Sequence, residues 1–219
     1  MEETSGSSEN APRPVRSYGA NNPTNYLVEE WPKSKKDLYD AARELFWENG
    51  FAETSIQEIV SHAGLTKGAF YHYFAAKEDV LQIMFERSLM RLMLTLERQR
   101  EQEMTVLEAL RALIEEMIAV ANDYRVEVAM FWEQYRRLPE ALAHSNLSRR
   151  RDFYRSVAGL VRRGIDNGEL RAGLSPDVVA MSIIGVCQHS QHWLTSTRDI
   201  TVPQLGSDVA DMFLGGLAS

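Results

Sequence analysis

The stretch Thr54-Ser-Ile-Gln-Glu-Ile-Val-Ser-His-Ala-Gly64-Leu-Thr-Lys-Gly-Ala-Phe-Tyr-His-Tyr-Phe74 decides how the rest of the chain is read. Thr54 opens a helix, and with Gln57 three residues later it forms a capping-box pattern ahead of Ile56, Ile59 and Val60. Gly64 stops that helix, and Thr66 caps a second one over Lys67 to Phe74. Phe70 and Phe74, four apart, face inward with Ile59, which leaves Thr66, Lys67, Tyr71, His72 and Tyr73 pointing outward. A packing helix precedes the pair, from about residue 33 to 49, with Leu38, Ala41, Ala42, Leu45 and Phe46 on one face and Gly50 as its stop. Two short helices joined by a glycine turn behind a third are the arrangement that presents a recognition helix to a DNA groove.

Working outward, the 219-residue chain carries 24 basic and 31 acidic side chains, a net charge of −7, with 44% hydrophobic and 25% charged residues. Net acidity argues against nucleic acid, whose affinity comes mainly from Lys and Arg. The local distribution answers that objection, because the nineteen residues between Glu58 and Glu78 contain no acid but hold Lys67, Lys77, His62 and His72. The lone cysteine, Cys187, excludes an intramolecular disulfide, and with no apolar leader behind Met1 it points to a cytoplasmic protein. The longest run free of strongly polar residues, Val178 to Cys187, spans ten residues, too short to cross a bilayer. Residues 1–32 read as a flexible tail, polar apart from its ending Tyr26 to Trp31, which is suited to docking on the folded body. Arg13 and Arg16 in the tail are candidates for a minor-groove arm.

From Lys33 the apolar period is helical throughout, and no stretch alternates as a strand would. The expected fold is all-α with nine helices. After the first three come helices at about 77–100, 105–124, 126–138, 140–167 and 176–195, and a last one opened by Thr201 and Gln204. The expected division is 33–78 for a helix-turn-helix domain and 79–219 for a second helical domain.

Residues 33–85 resemble the N-terminal DNA-binding domain of the TetR family of bacterial transcriptional regulators. The residues that carry the likeness are Ala41-Ala42, Leu45-Phe46, Gly50-Phe51, Thr54 to Ile59, Ala63 to Phe74 and Lys77 to Leu81. The resemblance implies a homodimeric regulator, a repressor of a palindromic operator, that pairs through its last two helices and releases DNA when a small ligand enters the C-terminal domain. By family position Lys67, Gly68 and Tyr71 are candidates for groove and base contact, and Tyr73 and Lys77 for phosphate. Thr66 and His72 complete the outward set, and Thr54 and Ser55 offer hydroxyls and free N–H groups to a phosphate at a helix start.

Bulky apolar residues with a few hydrogen-bonding neighbours make Met84, Met93, Met117, Tyr124, Met130, Phe131, Gln134, Tyr135, Phe153, Tyr154 and Val157 the candidate ligand pocket. They suit a mainly hydrophobic effector. Helical spacing alone equally describes ordinary core. Arg136, Arg137, Arg150 and Arg151, within a run that continues through Arg149, Arg155, Arg162 and Arg163, are candidates for holding phosphates. The segment 126–139 resembles its counterpart in TetR-family regulators of lipid and sterol catabolism that answer to acyl-CoA thioesters, which makes an acyl-CoA the candidate effector. The alternatives are a cationic or aromatic drug stacked on Trp132 or Trp193 with Glu133 as counter-ion, and an all-helical carrier that binds no DNA. No enzyme motif is present, no cofactor is expected, and His189, His192 and Cys187 are too few to specify a metal site.

Overall fold

A computed structural model describes residues 31–127, 130, 140–196 and 199–218. Among them the secondary structure is helical, with one isolated bridge between Leu170 and Ala218. The helices are α1 (Lys33–Asn49), α2 (Ile56–His62), α3 (Lys67–Tyr73), α4 (Lys77–Glu101), α5 (Val106–Asp123), α6 (Glu140–Asp166), α7 (Pro176–Ser196) and α8 (Val202–Leu217). The further helix expected over 126–138 falls largely outside the described residues, which show helical residues only at its start.

Sequence signals set most boundaries. Gly50 and Gly64 end α1 and the α2 segment at φ of +87° and +65°, a region that side chains with a Cβ avoid. The N-terminus of α2 differs from expectation. Ser55, not Thr54, is the cap: its hydroxyl accepts from Glu58 N, and the Glu58 carboxylate returns to the Ser55 N–H. Thr54 is instead buried, its hydroxyl donating to the carbonyls of Leu45 and Gly50, so it ties the α1 exit to the start of α2. Thr66, Thr105 and Thr201 cap α3, α5 and α8.

Two apolar cores form that share no buried residue. The first joins α1, α2 and α3 to the beginning of α4: Leu38, Phe46, Ile59, Phe70 and Phe74 pack with Val80, Leu81, Met84, Phe85 and Met130. A domain boundary at residue 78 therefore cuts through this packing unit. Trp31, the last apolar residue before α1, sits edge-on to Tyr39 at 5.7 Å and packs against this core. The second core is built around α5, which touches α4, α6, α7 and α8. Leu110, Leu113, Ile114 and Ile118 of α5 are completely buried, worth about 1.5–3 kcal/mol each. α8 approaches α5 closely at Gly206, where a Cβ would stand 3.3 Å from Glu115 Cα. In the single chain α7 leaves Val178 and Met181 about 60% and 59% exposed, and with Gly185 they form an open stripe.

Candidate functional site

The outward face of α3 carries Lys67, Gly68, Tyr71 and His72, all exposed, Tyr71 at 56%. Phe70 and Phe74 anchor the helix from below, their ring centroids 5.4 Å apart. Thr66 spends its hydroxyl oxygen on the Ala69 N–H. Tyr73 is half-buried, and its hydroxyl is 2.8 Å from Ser34 Oγ, which places the basic start of α1, Lys33-Ser-Lys-Lys36, beside the recognition helix. Sequence reasoning missed Ser34 and Lys33. The Lys-Ser-Lys-Lys run was the available signal, but its position relative to α3 is a tertiary property.

Three of the expected DNA contacts are engaged elsewhere. The Lys77 ammonium donates to the carbonyls of Phe51, Ala52 and Thr54 at 2.7, 3.2 and 2.9 Å, which uses all three of its N–H bonds. It clasps the loop before α2 rather than facing outward. Thr54 is buried as described, and at Ser55 the Glu58 carboxylate occupies the helix start that was expected to meet a phosphate. Those backbone and hydroxyl bonds hold the Glu58 carboxyl below its usual range, so a negative charge stands there. The stretch free of acids in sequence is also not free of them in space, since Glu44 of α1 lies 2.9 Å from His62 Nε2. Accordingly Lys77→Met should leave the slope of log affinity against log salt unchanged and lower stability by about 1.5–3 kcal/mol. A slope smaller by about one phosphate contact would return Lys77 to the DNA interface.

The second core holds an apolar cavity of about 240 Å³ between α4, α5, α6 and α7. Met117, Phe153, Tyr154 and Arg150 of the expected set line it, joined by Ser88, Leu89, Leu92, Val120, Ala121, Ile184 and Gln188. Apart from Gln188 the additional residues are small or aliphatic and are indistinguishable from core in sequence. Met93, Tyr124 and Val157 pack in or against the same core without lining the cavity. Met84 and Met130 belong to the other core and are not pocket residues. Phe131, Gln134, Tyr135, Arg136 and Arg137 lie outside the described residues, as do Arg13, Arg16, Trp132 and Glu133. Arg151 is exposed and does not line the cavity, while Arg149 reaches the buried Glu86 carboxylate at 3.3 Å, beside Gln82.

A polar cleft of about 340 Å³ separates α1 from the middle of α4 and the end of α5. Within it Arg43 Nε donates to Glu127 Oε1 at 2.7 Å, Arg87 lies between the rings of Tyr39 and Tyr124, and Arg91 binds Glu116 and Asp123. Glu127 is only 2% exposed.

Neither a metal nor a redox site emerges. His189 and His192 stack at 4.8 Å, but among the described residues no three ligating side chains converge. Cys187 is fully buried and burial pushes its thiol up to about 12. An aqueous disulfide reagent at about pH 8 should therefore leave Cys187 unmodified in the native protein and react stoichiometrically after denaturation. Equal rates in both states would show the site to be open.

A helix-turn-helix presented on a helical body is the arrangement of a DNA-binding transcriptional regulator. Comparison with known proteins gives the family. Residues 38–84 match the model for bacterial regulatory proteins of the tetR family, and residues 103–217 match the tetracyclin repressor-like C-terminal domain. The chain belongs to the TetR family of transcriptional regulators, and it is a regulator rather than an enzyme or carrier. It is 24% identical to the fatty acid metabolism regulator protein of Bacillus subtilis over 84% of this chain and 98% of that protein. It is also 24% identical to the HTH-type transcriptional repressor KstR2 of Mycobacterium tuberculosis, over 83% and 91% of the two chains. The solved structure of the latter superposes with a TM-score of 0.73 at 22% identity, covering 87% of this chain and 97% of that one. FadR from Bacillus subtilis in complex with stearoyl-CoA gives 0.64 at 22% identity, covering 83% and 98%.

Proposed function

We propose that the protein is a cytoplasmic repressor that binds an inverted-repeat operator as a homodimer and is released by a mainly hydrophobic effector, an acyl-CoA thioester. The observation that carries the effector is the apolar cavity between helices of the C-terminal domain, with Arg150 as the one charged side chain among the described residues that line it. Apolar walls take a hydrocarbon body, and Arg150 offers a donor to an oxygen of the ligand. Among the described residues no acid lines the cavity to pair with a cationic drug. The printed names of the relatives, a fatty acid metabolism regulator and a ketosteroid regulator, support a ligand of this kind.

On the DNA side, Lys67, Gly68, Tyr71 and His72 enter the groove. Thr66, Tyr73 and the start of α1 at Lys33 and Ser34 approach the backbone. The dimer forms through α7 and α8, whose open faces carry Val178, Met181 and Gly185 on one helix and Met212, Gly215 and Gly216 on the other. An exposed apolar stripe of that kind is the mark of an interface. Two recognition helices related by a two-fold axis require half-sites roughly one helical turn apart or more.

The test is fluorescence anisotropy on duplex DNA from upstream of the gene, with a long-chain acyl-CoA titrated into the complex. Binding with two-fold footprint symmetry, and release on adding the thioester, is the expected result. No release, together with no heat of binding in calorimetry, overturns the effector assignment.

A further inference from the structure

The face of the C-terminal domain beyond the apolar cavity carries a second concavity, of about 340 Å³, with Leu96, Met104 and Leu160 on its floor and Arg100, Arg155 and Arg163 around it. Among the described residues no acid lines it, in a chain whose net charge is −7. Among the described residues Arg100 and Arg163 make no ion pair. Arg155 has one, to Asp152 at 3.4 Å, where both partners are well exposed. Exposed pairs of this kind contribute little and are readily exchanged for a stronger anion.

The position of this groove matters as much as its charge. The cavity uses Leu89 and Leu92 of α4, Met117 and Ala121 of α5, and Phe153 of α6. The groove uses Leu96 and Arg100 of α4, Ala109 of α5, and Ser156 and Gly159 of α6. On each of the three helices the groove residues therefore lie further along in one consistent direction, beginning about one turn on for α4 and α6. Cavity and groove therefore lie one after the other along α4 and α6, the first apolar and the second cationic. Arg155 and Arg163 are eight residues apart on α6, about 12 Å along its axis, with Arg100 facing them from α4. A single phosphate cannot span that separation, whereas a head group with several phosphates can. Arg150, at the other end of the cavity, is a single guanidinium whose neighbour Arg149 is already matched by the Glu86 carboxylate.

We infer that Arg100, Arg155 and Arg163 form the seat for the phosphate groups of a coenzyme A-type head, with the attached chain running back into the apolar cavity. This inference rests on the acyl-CoA reading only for the chain; the groove itself is a polyphosphate site.

The probe is free coenzyme A, which carries the phosphates and no acyl chain, titrated calorimetrically into the full-length protein under reducing conditions. Binding is expected to weaken steeply with salt, to be competed by inorganic pyrophosphate, and to fall about tenfold or more in R100M and in R163M. These arginines are exposed, and unchanged helical circular dichroism checks that the variants fold. The inference is overturned if the R100M/R155M/R163M variant binds coenzyme A undiminished, or if phosphate-free pantetheine binds equally well. Should acyl-CoA release DNA while the triple variant responds to it as the parent does, the groove fails and the proposed function stands. Should coenzyme A bind through the three arginines while no acyl-CoA releases DNA, the groove stands and the effector assignment fails.

Discussion

Phe70→Ala is expected to remove about 3–5 kcal/mol from the helix-turn-helix core and to abolish operator binding, while the C-terminal helices keep their structure. Phe70 is fully buried and in ring contact with Phe74, so truncation leaves a void beneath the helix that presents Lys67 and Tyr71. The two cores share no buried residue, and α1 meets the rest of the chain mainly along the start of α4 and at the Arg43–Glu127 pair. The loss should therefore stay local. Thermal unfolding followed by circular dichroism should resolve an early N-terminal step and a late one near the parent's, and the gel shift should vanish. A single transition in which both halves melt together would show the cores to be energetically fused.

Arg43→Met should cost about 3–5 kcal/mol, more than Glu127→Gln. The asymmetry follows from exposure. The Glu127 side chain is 3% exposed and Arg43 is 33% exposed, so removing the arginine strands a buried carboxylate, whereas removing the acid leaves a guanidinium that water can reach. Glu127 Oε2 already lacks a hydrogen-bond partner, which leaves Oε1 and its bond to Arg43 as the carboxylate's compensation. Replacing both partners by apolar residues, R43M/E127L, should recover most of the loss, because no charge then remains to be desolvated. Chemical denaturation of the four proteins reads all of these outcomes. An R43M variant no less stable than E127Q would mean that the pair holds nothing together.

The helix-turn-helix was legible because its signals are local. Gly50 and Gly64 act through their own φ angles, Thr66 caps its own helix, and Phe70 and Phe74 share a face by spacing alone. The capping of α2 was misread by one residue, since Thr54 and Ser55 both precede the apolar run and only the distant carbonyl of Leu45 claims the first hydroxyl. Lys77 was misread for a related reason. Its family position and its place at the start of a helix both suggest phosphate, but the carbonyls that hold it come from residues more than twenty positions earlier. The methionines were divided between two cores by helix direction, which periodicity does not report: Met84 lies under the recognition unit and Met117 lines the cavity.

By itself, then, the sequence determined an all-helical chain with a presented recognition helix and a large apolar second domain, because helix propensity, caps, stops and facial periodicity act within a few residues. Tertiary structure decided which hydroxyls and ammonium groups are left to meet DNA, which apolar side chains surround empty space, and that Arg100 stands across from Arg155 and Arg163. Those properties depend on how α4, α5 and α6 lie against one another, which brings Arg100 to the same groove as Arg155, fifty-five positions later in the chain.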